Sequence, residues 1–421
     1  MDKTIIKNLD ELEKNSNWKP ALEIVKAGLS AIETKKVVEN LVKLDGETLK
    51  IKDLEINLSK FKRIKVIGFG KASSEAGLAL EKVLGSKISG GAVIDIKSAE
   101  CSYIENLIGT HPHPSIQNVS ATKRIIELAE DSNEDDLVLV IVSGGGSALL
   151  CWPEAECAQG ESLYSQFLKV GGTIEELNVV RKHLSALKGG GLAKMLYPAK
   201  VVGLIFCDIP GDSIEEVASG PTFKDKTTQK DAEVILEKYR LTGFELNQTP
   251  KEDKYFEKVT NISLVSNIDA LNAMSRKAEE FGLKAEIISA EIYDLPEVTI
   301  NNFENHLSEN KVVFGGGEIR LLVEGNEGSG GRCVQLALAV LPQLKEGDVF
   351  VAIASDGLDN SDRAGAIVDV NTLKKAEELG LNYEEYLKKC DSYNFLKATG
   401  NLIFTGQTGA NVSDLMLWIR K

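Results

Sequence analysis

Positive charge, paired cysteines and long apolar runs are all in short supply in this chain, and each shortage removes a class of function. Lys and Arg total 49 against 63 Asp and Glu, a net charge of -14, the wrong sign for a nucleic-acid or membrane-surface binder. An anionic ligand would need a local basic cluster that reverses this field. The six cysteines (Cys101, Cys151, Cys157, Cys207, Cys333 and Cys390) show no CxxC spacing. They read as reduced, mostly buried thiols, neither a disulfide frame nor a zinc site. No apolar run approaches the ~18 residues of a membrane helix, and the start, MDKTIIKNLDELEKN, has no apolar signal core. The expected setting is the cytoplasm, with neither membrane nor nucleic acid as partner.

The standard nucleotide and nucleophile fingerprints are missing as well. A P-loop would need glycine where Lys65 precedes Gly70-Lys71, and a Rossmann GxGxxG would need glycine at Ser73. A GxSxG elbow around Ser147 would need glycine at Leu149. His111 and His113 in GTHPHPS have no third ligand at metal spacing. Asp356, Asp359 and Asp362 in ASDGLDNSDRAGA lack the EF-hand interval, so they are expected to shape a turn at the rim of a site.

What is present is an α/β pattern. Short β-branched runs (RIKVIGF, GAVID, LVLVIV, KVVGLIF, NISLVS, KAEIIS, KVVFGG, IRLLVEG and VFVAIAS) alternate with segments of helical periodicity such as SSEAGLALEKVL and DALNAMSRKAEEF. This predicts two α/β/α domains with mainly parallel sheets. The polar stretch 241–258 marks the boundary, giving domains 1–245 and 246–421, with the helical first ~45 residues free to pack on either. Thr173 and Glu176 form a capping box opening a helix for which Gly189 supplies the stop.

Several strands end in glycine followed by a helix: VIGFGKASSEAG, VIVSGGGSALL, VVFGGGE, and VEGNEGSGGRCVQLALAV close behind. Beyond the carboxyl ends of parallel strands, glycine lets backbone N–H groups approach a phosphate. Ser143, Gly144, Gly145, Gly146 and Ser147 are therefore the candidate phosphate cradle. Charged residues flank these turns. Lys71 and Arg332 each stand at a helix start, against the helix dipole unless an anion compensates, and Arg332 could grip a carboxylate or phosphate. Arg181, Ser185 and Lys188 fall at i, i+4 and i+7, a basic helical face running into Gly189-Gly190-Gly191. Asp208 and Asp212 bracket a turn after a strand, suited to hold Mg²⁺ or to accept a hydroxyl proton.

In this order, the segments VIGFGKAS, GTHPHPS, VIVSGGGSALL, NVVRKHLSALKGGGLAK, CDIPGD with ASGPT, GGGE, GSGGRCVQLAL, ASDGLDNSDRAGA and TGQTGANVSDL resemble the class II glycerate 2-kinase family, whose C-terminal half is called the MOFRL domain. The resemblance runs from about residue 60 onward. It implies a Rossmann-like first domain, a MOFRL-type second domain and an active site in the cleft between them. It also implies ATP-dependent phosphorylation of D-glycerate at its 2-hydroxyl, with Mg²⁺ or another divalent cation. By resemblance Lys71, Arg332 and Asp208 are the catalytic residues. Arg181, Lys188 and Asp212 are then substrate-binding candidates, with Asp208 and Asp212 the metal ligands. The candidate assembly is a homodimer. Two other readings stay open on the residues alone: an NAD(P)-dependent hydroxypyruvate reductase, and a non-enzymatic metabolite-binding protein.

Overall fold

The computed structural model describes residues 5–323 and 328–421, and the chain divides into two compact units. The first comprises residues 34–207 and 213–264, the second residues 5–33, 208–212 and 265–421. The chain thus crosses between units several times, where sequence suggested one break near 245.

In the first unit a small antiparallel sheet, β1 (Val42–Asp45), β2 (Thr48–Ile51) and β3 (Leu54–Asn57), precedes the main one. The main strands are β4 (Arg63–Phe69), β5 (Gly90–Asp95), β6 (Ile104–Ile108), β7 (Asp136–Ser143), β8 (Lys200–Phe206) and β9 (Val259–Val265), in spatial order β6-β5-β4-β7-β8-β9. The β4–β5, β4–β7, β5–β6 and β7–β8 pairs are parallel. β7 is buried along its whole length, as expected of a strand covered on both faces. Parallel pairing of Phe69 with Val142 brings the glycine turns after β4 and β7 side by side.

The second unit's sheet contains β10 (Lys284–Ile292), β11 (Lys311–Gly317), β12 (Val349–Ala354), β13 (Gly365–Asp369), β14 (Leu402–Ile403) and β15 (Asp414–Arg420), in spatial order β10-β11-β15-β12-β13-β14. β10–β11 is parallel. The β11–β15, β15–β12, β12–β13 and β13–β14 pairs run antiparallel. The α/β class holds, but the second unit's sheet is mostly antiparallel, against the expectation of mainly parallel sheets. Short connections such as 355–364 join neighbours directly, which antiparallel strands permit and parallel ones do not. IRLLVEG forms no strand over Ile319–Val323, and its last two residues lie outside the described residues. The helix Lys19–Ala31 packs against the helix Asn267–Glu280 of the same unit. There Trp18 Nε1 and Asn15 Nδ2 both donate to the Asp369 carboxylate, at 2.8 and 2.9 Å.

Candidate functional site

In the first unit the turns after β4 and β7 interlock. The Lys71 N–H donates to the Gly144 carbonyl at 2.9 Å, and the Ala72 N–H to Ser143 Oγ at 3.1 Å. Gly70 has φ +117, and a side chain there would collide with Ser143. Ser143 is buried and occupied in bracing this turn, so it supports the cradle without facing a ligand. Gly145 has φ +81, and a Cβ on it would lie 3.0 Å from His111 and 3.2 Å from Lys71 Cγ. Only glycine meets both demands comfortably. Gly146 opens the short helix Gly146–Leu149, where an added Cβ would lie 2.6 Å from that of Ala218.

Ala218 (φ 53) and Ser219 (φ 61) are both left-handed. Holding non-glycine residues there costs on the order of 1 kcal/mol each and is a mark of functional loops. Ser219 Oγ lies 3.0 Å from Ser147 Oγ, so the ASGPT segment underpins the glycine turn, a role that sequence reasoning missed.

Lys71 reaches this turn, and among the described residues no carboxylate pairs with it. His111 stands beside it. Crowding of the imidazole first, then the Lys71 charge, pushes its pKa down to about 4. The residue is exposed, so solvent screening tempers the shift without changing its direction. His111, Gly145, Ser147, Glu156, Tyr164 and Arg181 are among the residues lining a cavity of ≈ 320 Å³.

The basic helical face does not form. The Thr173–Glu176 capping box is present, but the helix ends at Leu184, with Ser185 already extended. Ser185 Oγ instead accepts the N–H groups of Leu187 and Lys188, at 3.1 and 3.2 Å. That turn sends Lys188 inward, where it is 1% exposed. Its Nζ donates to the Leu150 carbonyl at 2.7 Å and makes an ion pair with Glu156. Glu156, 3% exposed, also accepts the Trp152 N–H at 2.8 Å. Lys188 is therefore a buried structural cation, out of a substrate's reach, while Arg181 faces the cavity.

In the second unit Arg332 opens the helix Arg332–Ala339. Its Nη1 donates to Glu318 at 2.7 Å and its Nε to Asp414 at 3.0 Å. Asp359 supplies the helix cap from a neighbouring loop, accepting the N–H groups of Cys333 and Val334 at 3.1 and 2.8 Å. The cation at the helix start is thus compensated by protein carboxylates. Burial pushes Asp359 up to about 6. Burial, working against the pull of Arg332, pushes Asp414 up to about 7. These groups line a cavity of ≈ 510 Å³ together with Asp356 and Asn411. No local motif announced the partners of Arg332, because β15 and the end of β11 deliver them from elsewhere in the chain.

The turn 208–212 belongs to the second unit, where a side chain at Gly211 would run into the Glu291 side chain. Asp208 is half-buried, and Asp212 is exposed with φ 59. Among the described residues no three His, Cys, Asp or Glu side chains gather as a metal site. All six cysteines are free, and Cys151, Cys207 and Cys333 are buried. No helix among the described residues is long and apolar enough to cross a membrane.

Residues 20–249 match the family model described as a domain of unknown function, DUF4147, and residues 311–414 match the MOFRL family. The chain is 36% identical to a D-glycerate 2-kinase of Thermotoga maritima, over 95% of this chain and 97% of that protein. It is 33% identical to a glycerate 2-kinase of Pyrococcus horikoshii, over 94% and 96%. A crystal structure of a glycerate kinase from Thermotoga maritima superposes with a TM-score of 0.85 at 33% identity, covering 96% of this chain and all of that one.

Proposed function

Because the chain belongs to the glycerate 2-kinase family, with a DUF4147 domain followed by a MOFRL domain, we propose that it transfers the γ-phosphoryl group of ATP to the 2-hydroxyl of D-glycerate, giving 2-phosphoglycerate and ADP. The observation that carries the chemistry is Lys71, an ammonium with no carboxylate partner among the described residues, held against the Gly144–Ser147 turn at the carboxyl ends of parallel strands.

Phosphoryl transfer asks a protein for positioning and charge neutralisation more than for covalent chemistry. Gly144, Gly145 and Gly146 keep side chains away so that backbone N–H groups can meet the nucleotide phosphates, with Ser147 adding a hydroxyl. Lys71 neutralises charge on the phosphoryl group in flight. Arg332 is the second catalytic cation, its planar fork aimed by Glu318 and Asp414. Asp208 accepts the proton of the attacking hydroxyl. Asp208 and Asp212 offer only oxygen donors, which suits a hard cation that takes its remaining ligands from phosphate and water. Mg²⁺ held there would screen the phosphate charge. A cytoplasmic setting and a homodimer complete the proposal, checked by fractionation and by sedimentation.

The test is incubation with D-glycerate and ATP–Mg²⁺, with ADP measured and the product identified by ³¹P NMR as the 2- or 3-phosphate. Absence of ADP formation, or near wild-type kcat/KM in folded Lys71→Ala and Arg332→Ala, would sink the assignment.

A further inference from the structure

Besides Lys71, a second cation of the first unit has no carboxylate partner among the described residues. Arg181 faces the ≈ 320 Å³ cavity from the helix Ile174–Leu184. A guanidinium carries five N–H donors. Among the described residues its one side-chain acceptor is Asn178 Oδ1, 3.3 Å from Nη1, and no carboxylate pairs with it. The acidic residues of the cavity wall are already engaged: Glu156 by Lys188 and the Trp152 N–H, Glu161 by His113 at 2.9 Å. Burial pushes the guanidinium pKa down, with the Glu156 charge pulling it back. A secluded cation of this kind is costly until an anion joins it.

The rest of the cavity narrows what that anion is. Its volume is at the small end of ligand pockets, which span roughly 300–1,000 Å³, a size that suits a small acid. Pro112, Pro114 and Leu184 give it an apolar side, while Gly145 and Ser147 place it against the phosphate turn. A single planar fork matches a carboxylate, whereas a triphosphate calls for several cations. We propose that this cavity is the acceptor pocket, in which Arg181 grips the carboxylate of a small 2-hydroxy acid and so selects an acid over the corresponding polyol. The proposal rests on the kinase reading above and assigns Arg181 as its specificity-determining residue.

Kinetics on Arg181→Gln and Arg181→Lys, with circular dichroism and Tm confirming the fold, test it. In Arg181→Gln the KM for D-glycerate rises about 10- to 100-fold, the loss expected for a charge-assisted hydrogen-bonded pair. Arg181→Lys falls between, the KM for ATP stays within about twofold, and the preference for glycerate over glycerol collapses. An unchanged KM for glycerate in the folded variants overturns the proposal. A raised KM for ATP alone also overturns it, by giving the cavity to the nucleotide. Without any variant, propionate should inhibit wild type competitively against glycerate and not against ATP; the reverse pattern refutes the assignment. If wild type makes no ADP from glycerate, the kinase reading fails by itself. Calorimetric binding then decides the pocket: glycerate binding to wild type that is lost in Arg181→Gln supports it, and equal binding in both overturns it.

Discussion

Replacing Lys188 by methionine separates two jobs that a lysine in this position could have. Its side chain is wholly buried, and its ammonium serves Glu156 and the Leu150 carbonyl. Methionine keeps most of the volume but leaves the Glu156 carboxylate enclosed with the Trp152 N–H and no cation. Breaking one partner of a buried ion pair costs about 3–5 kcal/mol. At about 2–4 °C per kcal/mol for a unit of this size, the first unit should melt about 6–20 °C lower. The double variant Lys188→Met/Glu156→Gln removes both charges and keeps an acceptor for Trp152, so most of the loss should return, leaving a deficit of about 1 kcal/mol. Calorimetry and urea titration of wild type, both singles and the double give the cycle. KM for glycerate, measured well below the transition, should stay within about threefold. A single variant costing under about 1 kcal/mol, or a double no better than the single, would refute the buried-pair argument. A tenfold KM effect at unchanged Tm would return Lys188 to the substrate.

Three further outcomes follow from the geometry. Gly145→Ala forces a Cβ at φ +81 against His111; it should lose ATP-dependent activity at a stability cost of about 1–2 kcal/mol, seen by comparing kcat with Tm. Asp359→Ala uncaps the helix Arg332–Ala339 and should lower the second unit's stability by about 1–2 kcal/mol in urea titration. Asp359 and Asp414 are held near 6 and 7, above the unfolded value of 3.8. The folded form therefore binds more protons than the unfolded one between these limits. The second unit should then lose on the order of 4 kcal/mol as pH rises from 5 to 8, and Asp414→Asn should flatten that slope.

Local signals carried the sequence reading furthest. The strands before the glycine turns and the Thr173–Glu176 box were legible because neighbours in sequence create them. The end of the same helix was not: Gly189 looked like the stop, yet the Ser185 hydroxyl turns the chain four residues earlier and hides Lys188. Arg332 could be picked out as a cation at a helix start, but Asp414, 82 residues away, reaches it only through the pairing of β15 with β11 and β12. The described part of IRLLVEG, Ile319–Val323, has strand composition without strand partners.

β15 has a consequence for the order of events during synthesis. Residues 414–420 sit in the middle of the second unit's sheet, flanked by β11 and β12, and residues 5–33 belong to that same unit. A nascent chain can complete the first unit's sheet once residue 265 has emerged. The helices of residues 5–33, by contrast, must wait for β15 before their unit can close. Until then β11 and β12 carry unpaired inner edges, the state in which strand proteins are most open to mispairing or to chaperones. Deleting residues 414–420 would take the central plank out of the sheet.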